Sequence, residues 1–133
     1  LSLFGYKFKK GITIERNYTP NLPRIMAFGS ELNQVWTNLI DNAIDAMNGQ
    51  GVIRVKTVLE DNHILVEIGD NGPGIPKDVQ ARIFEPFFTT KEVGKGTGLG
   101  LDTVRQIVKH HQGSIRLESQ PGDTRFQIRL PLQ

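Results

Sequence analysis

The chain has no cysteine, which excludes disulfides, Cys-ligated zinc and thiol catalysis together. It has no apolar run near the ~18 residues that a membrane-spanning helix needs, and no signal peptide opens it. Nor does one sign of charge dominate: 16 basic residues against 14 acidic leave +2 with histidine neutral. That balance argues against a general nucleic-acid binder while leaving room for a local basic patch. Low-complexity stretches and internal repeats are absent too. What is there is an ordinary composition, 38% hydrophobic and 23% charged over 133 residues, the length of one domain whose core needs no staple. The expectation is one compact, soluble, cytoplasmic domain, monomeric by itself, and the start at Leu1 reads as a fragment or a processed product.

Along the chain, residues 1–10 show no period and read as the end of a linker from an upstream domain. Ile12, Ile14 and Arg16 to Tyr18 predict a short strand, closed by Thr19-Pro20-Asn21 and Pro23. Ser30 reads as a helix N-cap with Glu31 well placed in the first turn. Leu32, Val35, Trp36, Leu39, Ile40, Ala43, Ile44 and Met47 then follow one another in alternating long and short steps that predict an amphipathic helix over 31–47. Asn48-Gly49-Gln50-Gly51 ends it. Two strands, Val52 to Leu59 and His63 to Ile68, flank the turn-like Glu60-Asp61-Asn62. A short helix is expected near 77–83. A second amphipathic helix should run from about Gly100 to His111, with Val104, Ile107 and Val108 inward, broken by Gly113. Ser114 to Ser119 and Arg125 to Leu130 predict a hairpin through Pro121-Gly122-Asp123. Strands with about three helices that do not strictly alternate point to an α+β fold, helices layered on one face of a mixed sheet.

Four places break these patterns. In the helix 31–47, Asn42 falls just outside the Val35 edge of the apolar stripe, with Asn38 one turn before it. Taken singly, each reads as a border amide satisfying nearby backbone groups. Asp70-Asn71-Gly72-Pro73-Gly74 follows an alternating strand as a hairpin turn would, yet Lys77 to Ile83 reads as a helix and no strand returns. A strand-end carboxylate with two glycines also suits a pocket floor: Asp70 would accept from an exocyclic amine, and Gly72 and Gly74 would let a flat ring approach the backbone. Adenine offers that amine at its 6-position, whereas guanine offers an oxygen that a carboxylate repels. Gly94-Lys95-Gly96-Thr97-Gly98-Leu99-Gly100-Leu101 leads into a helix and reads either as a plain linker or as a lid whose amides cradle an anion. Its spacing is neither that of a Walker A loop nor that of the dinucleotide fingerprint. Phe84-Glu85-Pro86-Phe87-Phe88-Thr89-Thr90-Lys91 reads as core, or as the anchor of that lid.

In this order and spacing the four segments resemble the N, G1, F and G2 boxes of the catalytic and ATP-binding domain of sensor histidine kinases. That domain is part of the superfamily shared with gyrase-type topoisomerases, mismatch-repair ATPases and heat-shock chaperones (the Bergerat fold). The matched residues are Asn38-Leu39-Ile40-Asp41-Asn42-Ala43, Asp70 to Gly74, Phe84 to Phe88 and Gly94 to Leu101. Each box is weak alone, but four in register over positions 30–112 are specific.

The resemblance implies a two-layer α/β sandwich, a mostly antiparallel mixed sheet of about five strands with three helices on one face, filling residues 1–133. It implies ATP and Mg2+ as ligands, with Asn38 and Asn42 in the catalytic machinery and Asn42 as the metal ligand. Asp70 would accept from the adenine amine, with Gly72, Gly74 and Ile75 at the base. Phe84, Phe87 and Phe88 would pack the lid. Phe87, Phe88, Thr89, Lys91, Lys95, Gly96, Thr97, Gly98, Leu99 and Gly100 complete the implied ATP-binding set. It also implies phosphoryl transfer to a histidine on a separate helical dimerisation domain, a response regulator downstream, a homodimeric parent, and no nucleic-acid or membrane contact by this domain.

Two departures bear on that reading. Asp45 stands where many histidine kinases place a phosphate-reaching lysine, so that contact is not carried over. No stretch resembles a phosphoacceptor helix: His63 lies in a strand, and His110 and His111 at a helix end read as solvated or capping residues. Hydrolytic members of the superfamily carry a water-activating glutamate at the position of Asn38, and an amide cannot be a general base. Of the remaining acids, Glu31 lies two turns from Asn38 and Glu85 sits in the lid. Transfer to an imidazole needs no such base, so a kinase is favoured over an ATPase. A nucleotide-binding scaffold and an anti-sigma-type serine kinase are the alternatives.

Overall fold

The computed structural model describes residues 11–19, 29–85 and 100–132. In chain order they form β1 (Ile12–Asn17), α1 (Gly29–Ala46), β2 (Gly51–Glu60), β3 (His63–Asp70), α2 (Lys77–Gln80), α3 (Gly100–His110), β4 (Ser114–Gln120) and β5 (Asp123–Pro131). The strands make one sheet in the order β1-β2-β3-β5-β4. β1 and β2 run parallel on either side of the α1 crossover, and every other neighbouring pair is antiparallel. This is the expected α+β architecture with a five-strand mixed sheet and three helices.

Alternation along the strands decides which face is covered. Ile53 and Val55 of β2, Ile64, Val66 and Ile68 of β3, and Phe126, Ile128 and Leu130 of β5 are buried together with Val35, Trp36, Leu39, Ile40 and Ile44 of α1 and Val104 and Val108 of α3. Leu39, Ile40, Ile53 and Ile128 are fully enclosed, each contributing about 1.5–3 kcal/mol by leaving water. The other face is solvated and charged. There Arg54 pairs with Glu15 at 3.0 Å, Arg125 with Glu67 at 3.7 Å, and Arg129 with Glu60 at 2.5 Å. These exposed pairs add little individually but keep the open face wet.

Both helices over the sheet end in the same way. At the end of α1, Asn48 takes φ 55°, its N–H reaches Asp45 O at 3.1 Å, and the Gly49 N–H reaches Ile44 O at 3.0 Å. At the end of α3, Gln112 takes φ 59°, with bonds to Lys109 O and from Gly113 to Val108 O, both 2.9 Å. This double closure satisfies carbonyls that the helix itself cannot pair. Gly113 is therefore glycine for a different reason: a Cβ there would collide with the Arg129 carbonyl.

Turn chemistry sets the two hairpins. Asp61 and Asn62 join β2 to β3 at φ 48° and 62°, the doubly positive turn that suits strand twist and that these residue types tolerate. Pro121-Gly122 joins β4 to β5, with Gly122 at φ 84°, the second position of a type II turn after a proline. Strand ends shift by a residue or two from the sequence reading, and two helix boundaries differ more tellingly. α1 begins at Gly29, so the expected cap Ser30 lies inside its first turn. The helix expected near 77–83 is only Lys77–Gln80. After it the chain tightens into i→i−3 bonds, Arg82 N–H to Val79 O and Glu85 N–H to Arg82 O, both 2.9 Å.

Candidate functional site

One row of residues crosses the whole sheet in register on the helix-covered face: Ile14, Ile53, Asp70, Thr124 and Ser119. The row starts apolar on β1 and β2 and turns polar on β3, β5 and β4. Asp70 and Thr124 are 8% and 4% exposed, so a carboxylate and a hydroxyl are buried at the edge of an otherwise apolar layer. Polar groups are put there only at a cost unless they find partners. Ser119 Oγ and Thr124 Oγ1 bond each other at 2.7 Å, and Ser119 Oγ also accepts the Ile75 N–H at 2.8 Å.

Asp70 is less fully satisfied. Its Oδ1 accepts the Gly72 N–H at 2.9 Å, the only hydrogen-bond donor to it among the described residues. Burial pushes its carboxyl pKa above the ordinary 3.8; the Gly72 N–H pulls it back in part, and the nearby Asp123 charge raises it further. A largely buried carboxylate with one donor among the described residues is a strong acceptor for an incoming N–H.

The loop after Asp70 is held by side chains that imitate backbone. Asn71 donates its N–H to Val52 O at 3.3 Å and accepts the Val52 N–H on its own Oδ1 at 2.9 Å. The amide oxygen thus completes one more rung of the β2–β3 ladder while the chain turns away. Gly72 packs so closely that a Cβ would lie 2.9 Å from Asp70 Oδ1 and 3.2 Å from Met47 Cγ. Its carbonyl accepts the Gly122 N–H at 2.8 Å, tying the loop to the β4–β5 turn. Gly74 takes φ +89°, and a Cβ there would lie 2.8 Å from the Gln120 carbonyl. Close packing on the end of α1 at Gly72 and on this hairpin at Gly74 favours both glycines, whichever ligand the loop faces. Ile75 is pinned at both ends, because Gln80 Nε2 donates to its carbonyl at 2.6 Å.

Met47 places the end of α1 against this loop. One turn back along α1 is Asn42, and one turn before that Asn38; both are half-buried, with neither amide left without a partner. The expectation of border positions on the apolar stripe is met. α1 carries Glu31, Asp41 and Asp45 and no basic residue, so cationic charge facing this helix has to come from elsewhere. Gly100 opens α3, which packs along α1, and the buried Asp102 in its first turn accepts from Gln106 Nε2 at 2.9 Å.

The structure therefore brings Asp70, Gly72, Gly74 and Ile75 into one loop beside the end of the helix carrying Asn38 and Asn42. Phe84 docks edge-on against Phe126, ring centroids 6.4 Å apart, so this member of the aromatic segment anchors to the core. Phe87, Phe88, Thr89, Lys91, Lys95, Gly96, Thr97, Gly98 and Leu99 lie outside the described residues. The spare acids are engaged away from Asn38: Glu31 with His110 Nδ1 at 2.9 Å, and Glu85 with Arg82 Nε at 3.1 Å. Sequence reasoning missed Thr124, Ser119 and Asn71. The signal for Thr124 was present, since Thr124, Phe126, Ile128 and Leu130 alternate and put a hydroxyl at an inward position.

Residues 29–133 match the family model described as histidine kinase-, DNA gyrase B- and HSP90-like ATPase. The chain is similar to the sensory histidine kinase/phosphatase NtrB of Rhodobacter capsulatus, 40% identical over 141 residues that cover 96% of this chain and 39% of that protein. Among solved structures, the nucleotide-free catalytic domain of histidine kinase ThkA superposes with a TM-score of 0.81 at 33% identity, covering 91% of this chain and 79% of that one. Full-length ShkA in complex with AMPPNP gives 0.79 at 29% identity, covering 91% of this chain and 26% of that one. The chain spans well under half the length of the curated relatives it matches.

Proposed function

Because the chain belongs to the histidine kinase-, DNA gyrase B- and HSP90-like ATPase family, as an ATP-binding catalytic domain of the sensor histidine kinase type, we propose that it binds Mg-ATP at the Asp70 end of the sandwich. From there it transfers the γ-phosphoryl group to a histidine on a separate helical dimerisation domain. The observation that carries the base assignment is the Asp70 carboxylate, buried in the helix-facing row at the end of β3, with Gly72 as its only donor among the described residues. Its second oxygen accepts from the adenine 6-amine; a guanine oxygen at that place would meet a buried anion with no bond to offer it, a discrimination of roughly 1–3 kcal/mol or more.

The residues on α1 fit the metal. Asn38 and Asn42 offer neutral amide oxygens, hard donors suited to Mg2+ completed by phosphate oxygens and waters, with Asn42 as the direct ligand. When bound, the ion neutralises phosphate charge that the acidic α1 helix repels. In this reading Lys91, Lys95 and Thr97, with the amides of Gly98 to Gly100, add further groups that meet the same charge. Transfer then needs little covalent help from this domain. The imidazole lone pair forms the N–P bond as the bond from phosphorus to the ADP oxygen breaks, and positioning dominates. With an amide at position 38 and both spare acids engaged elsewhere, water activation is disfavoured. The parent protein acts in this reading as a cytoplasm-facing homodimer that passes the phosphoryl group to a response regulator. No helix among the described residues is long and apolar enough to cross a membrane.

Titration calorimetry with ATP and GTP, each with and without Mg2+, tests the binding half. ATP-selective, Mg2+-strengthened binding supports it, and absence of ATP binding in all conditions sinks it. Incubation with γ-labelled ATP and the separately expressed helical domain tests the transfer half, which requires acid-labile, base-stable label on that domain.

A further inference from the structure

At the end of the helix layer far from Asp70, three metal-binding side chains converge. Glu31 stands in the first turn of α1, and His110 and His111 close α3. One ligand atom from each lies within 4.8 Å of the other two. His110 Nδ1 and Glu31 Oε1 are already 2.9 Å apart, close to the ~3.3 Å ligand spacing of a tetrahedral ion with bonds of about 2.05 Å. His111 Nδ1 sits 2.9 Å from the Ile107 carbonyl. A carbonyl only accepts, so Nδ1 carries the proton and the lone pair of the neutral ring is on Nε2. That backbone bond to the distal nitrogen is the arrangement that orients histidine ligands and fixes their tautomer. The two rings stand 5.6 Å apart at 67°, not stacked, so their nitrogens can turn toward a common point.

We propose that Glu31, His110 and His111 form a peripheral site for a divalent transition metal of the Zn2+ class, clamping the start of α1 to the end of α3. Two imidazoles and one carboxylate select Zn2+, Co2+, Ni2+ or Cu2+ over Mg2+, which prefers all-oxygen ligands. The ion takes the place of the proton on His110 Nδ1, which moves to Nε2 of the neutral ring or leaves to solvent from the imidazolium. Side-chain rotation closes the remaining gap to His111, and the exposure of His110 leaves the fourth position to water. Eleven residues of helix separate Glu31 from Asn42, about 16 Å along the axis, so this site neither shares ligands with the proposed Mg2+ position nor depends on the nucleotide reading. It cross-links the helix bearing Asn38 and Asn42 to the helix that Gly100 opens.

The test uses the untagged chain and Zn2+, Co2+ and Mg2+ as probes, read by competition with a chromophoric chelator and by thermal unfolding. The chain has three histidines, so His63→Ala serves as the control. Expected are Zn2+ binding with a rise of a few degrees in Tm, visible-band absorption of the Co2+ form, and no comparable response to Mg2+. His110→Ala, His111→Ala and Glu31→Gln should each weaken Zn2+ at least about 10-fold with an unchanged far-ultraviolet spectrum, while His63→Ala leaves affinity alone. Zn2+ affinity no better than that of a single exposed imidazole overturns the proposal. So does affinity that survives the His110→Ala/His111→Ala double substitution or is lost in His63→Ala.

Discussion

Replacing Asp70 by asparagine should move binding and stability in opposite directions. The carboxylate has two oxygens, one spent on the Gly72 N–H and the other assigned to the adenine amine. Asparagine has one oxygen. If that oxygen keeps Gly72, the amide NH2 faces the adenine NH2; if it turns to adenine, the Gly72 N–H loses its acceptor. Either way one hydrogen bond to a charged acceptor is lost, about 1.5–3 kcal/mol, or roughly a 10- to 150-fold rise in Kd for ATP. Guanine presents an oxygen at the same place, so the preference for ATP over GTP should narrow as well. Stability runs the other way. Burial raises the Asp70 pKa above 3.8, so the protonated form is favoured by folding. The stability tied to this group is full below the unfolded value and lost as pH rises through the folded one. At neutral pH the ionised side chain is thus a net cost to the nucleotide-free fold, which the neutral amide relieves. Calorimetric titration and thermal unfolding from pH 3 to pH 8 check both halves. Asp70→Asn should have the higher Tm at neutral pH, with the gap closing as pH falls below about 4. An ATP affinity within about threefold of the parent, or a lower Tm at pH 7, would refute the reasoning.

Asn42→Ala should abolish the strengthening of ATP binding by Mg2+ while leaving the Mg2+-free affinity nearly unchanged, as calorimetry with and without EDTA would show. Gly74→Ala forces a Cβ at φ +89° into the Gln120 carbonyl; we expect about 1–3 kcal/mol lost in urea unfolding and weaker ATP binding, because the loop after Asp70 is levered off the hairpin. Leu39→Ala, at 1% exposure beside Asn38, should cost about 2–5 kcal/mol of stability and alter ATP affinity only through the folded fraction.

Periodicity located α1, α3 and both hairpins because each is a local property: apolar spacing, a two-residue turn, a helix-ending glycine. Even there the sequence misplaces the physical reason at the helix ends. Asn48 and Gln112 carry the left-handed φ, which Gly49 shares and Gly113 does not, and Gly113 is needed for clearance from the Arg129 carbonyl on β5. Asp70 was legible because a carboxylate at the end of an alternating strand is conspicuous. Thr124 and Ser119 were not placed beside it, since only the β3–β5 and β4–β5 registers decide which inward residues share a row. Asn71 looked like turn chemistry, and its use as a substitute rung shows only once Val52 is opposite. The Glu31–His110 contact joins residues 79 apart and could be read from neither helix alone.

The row through Asp70 has a consequence for how such a domain is made. Its polar end is assembled from β3 and from the β4–β5 hairpin, and the Gly72–Gly122 bond locks the loop to a turn some fifty residues further along the chain. While the ribosome is still adding residues before about position 125, the helix with Asn38 and Asn42 and the strand with Asp70 already exist as sequence, but the wall that fixes the loop does not. Such long-range pairing forms late. Nucleotide capture should therefore switch on abruptly during synthesis, when β5 emerges and zips between β3 and β4, and a nascent chain short of that point should emerge unable to hold ATP.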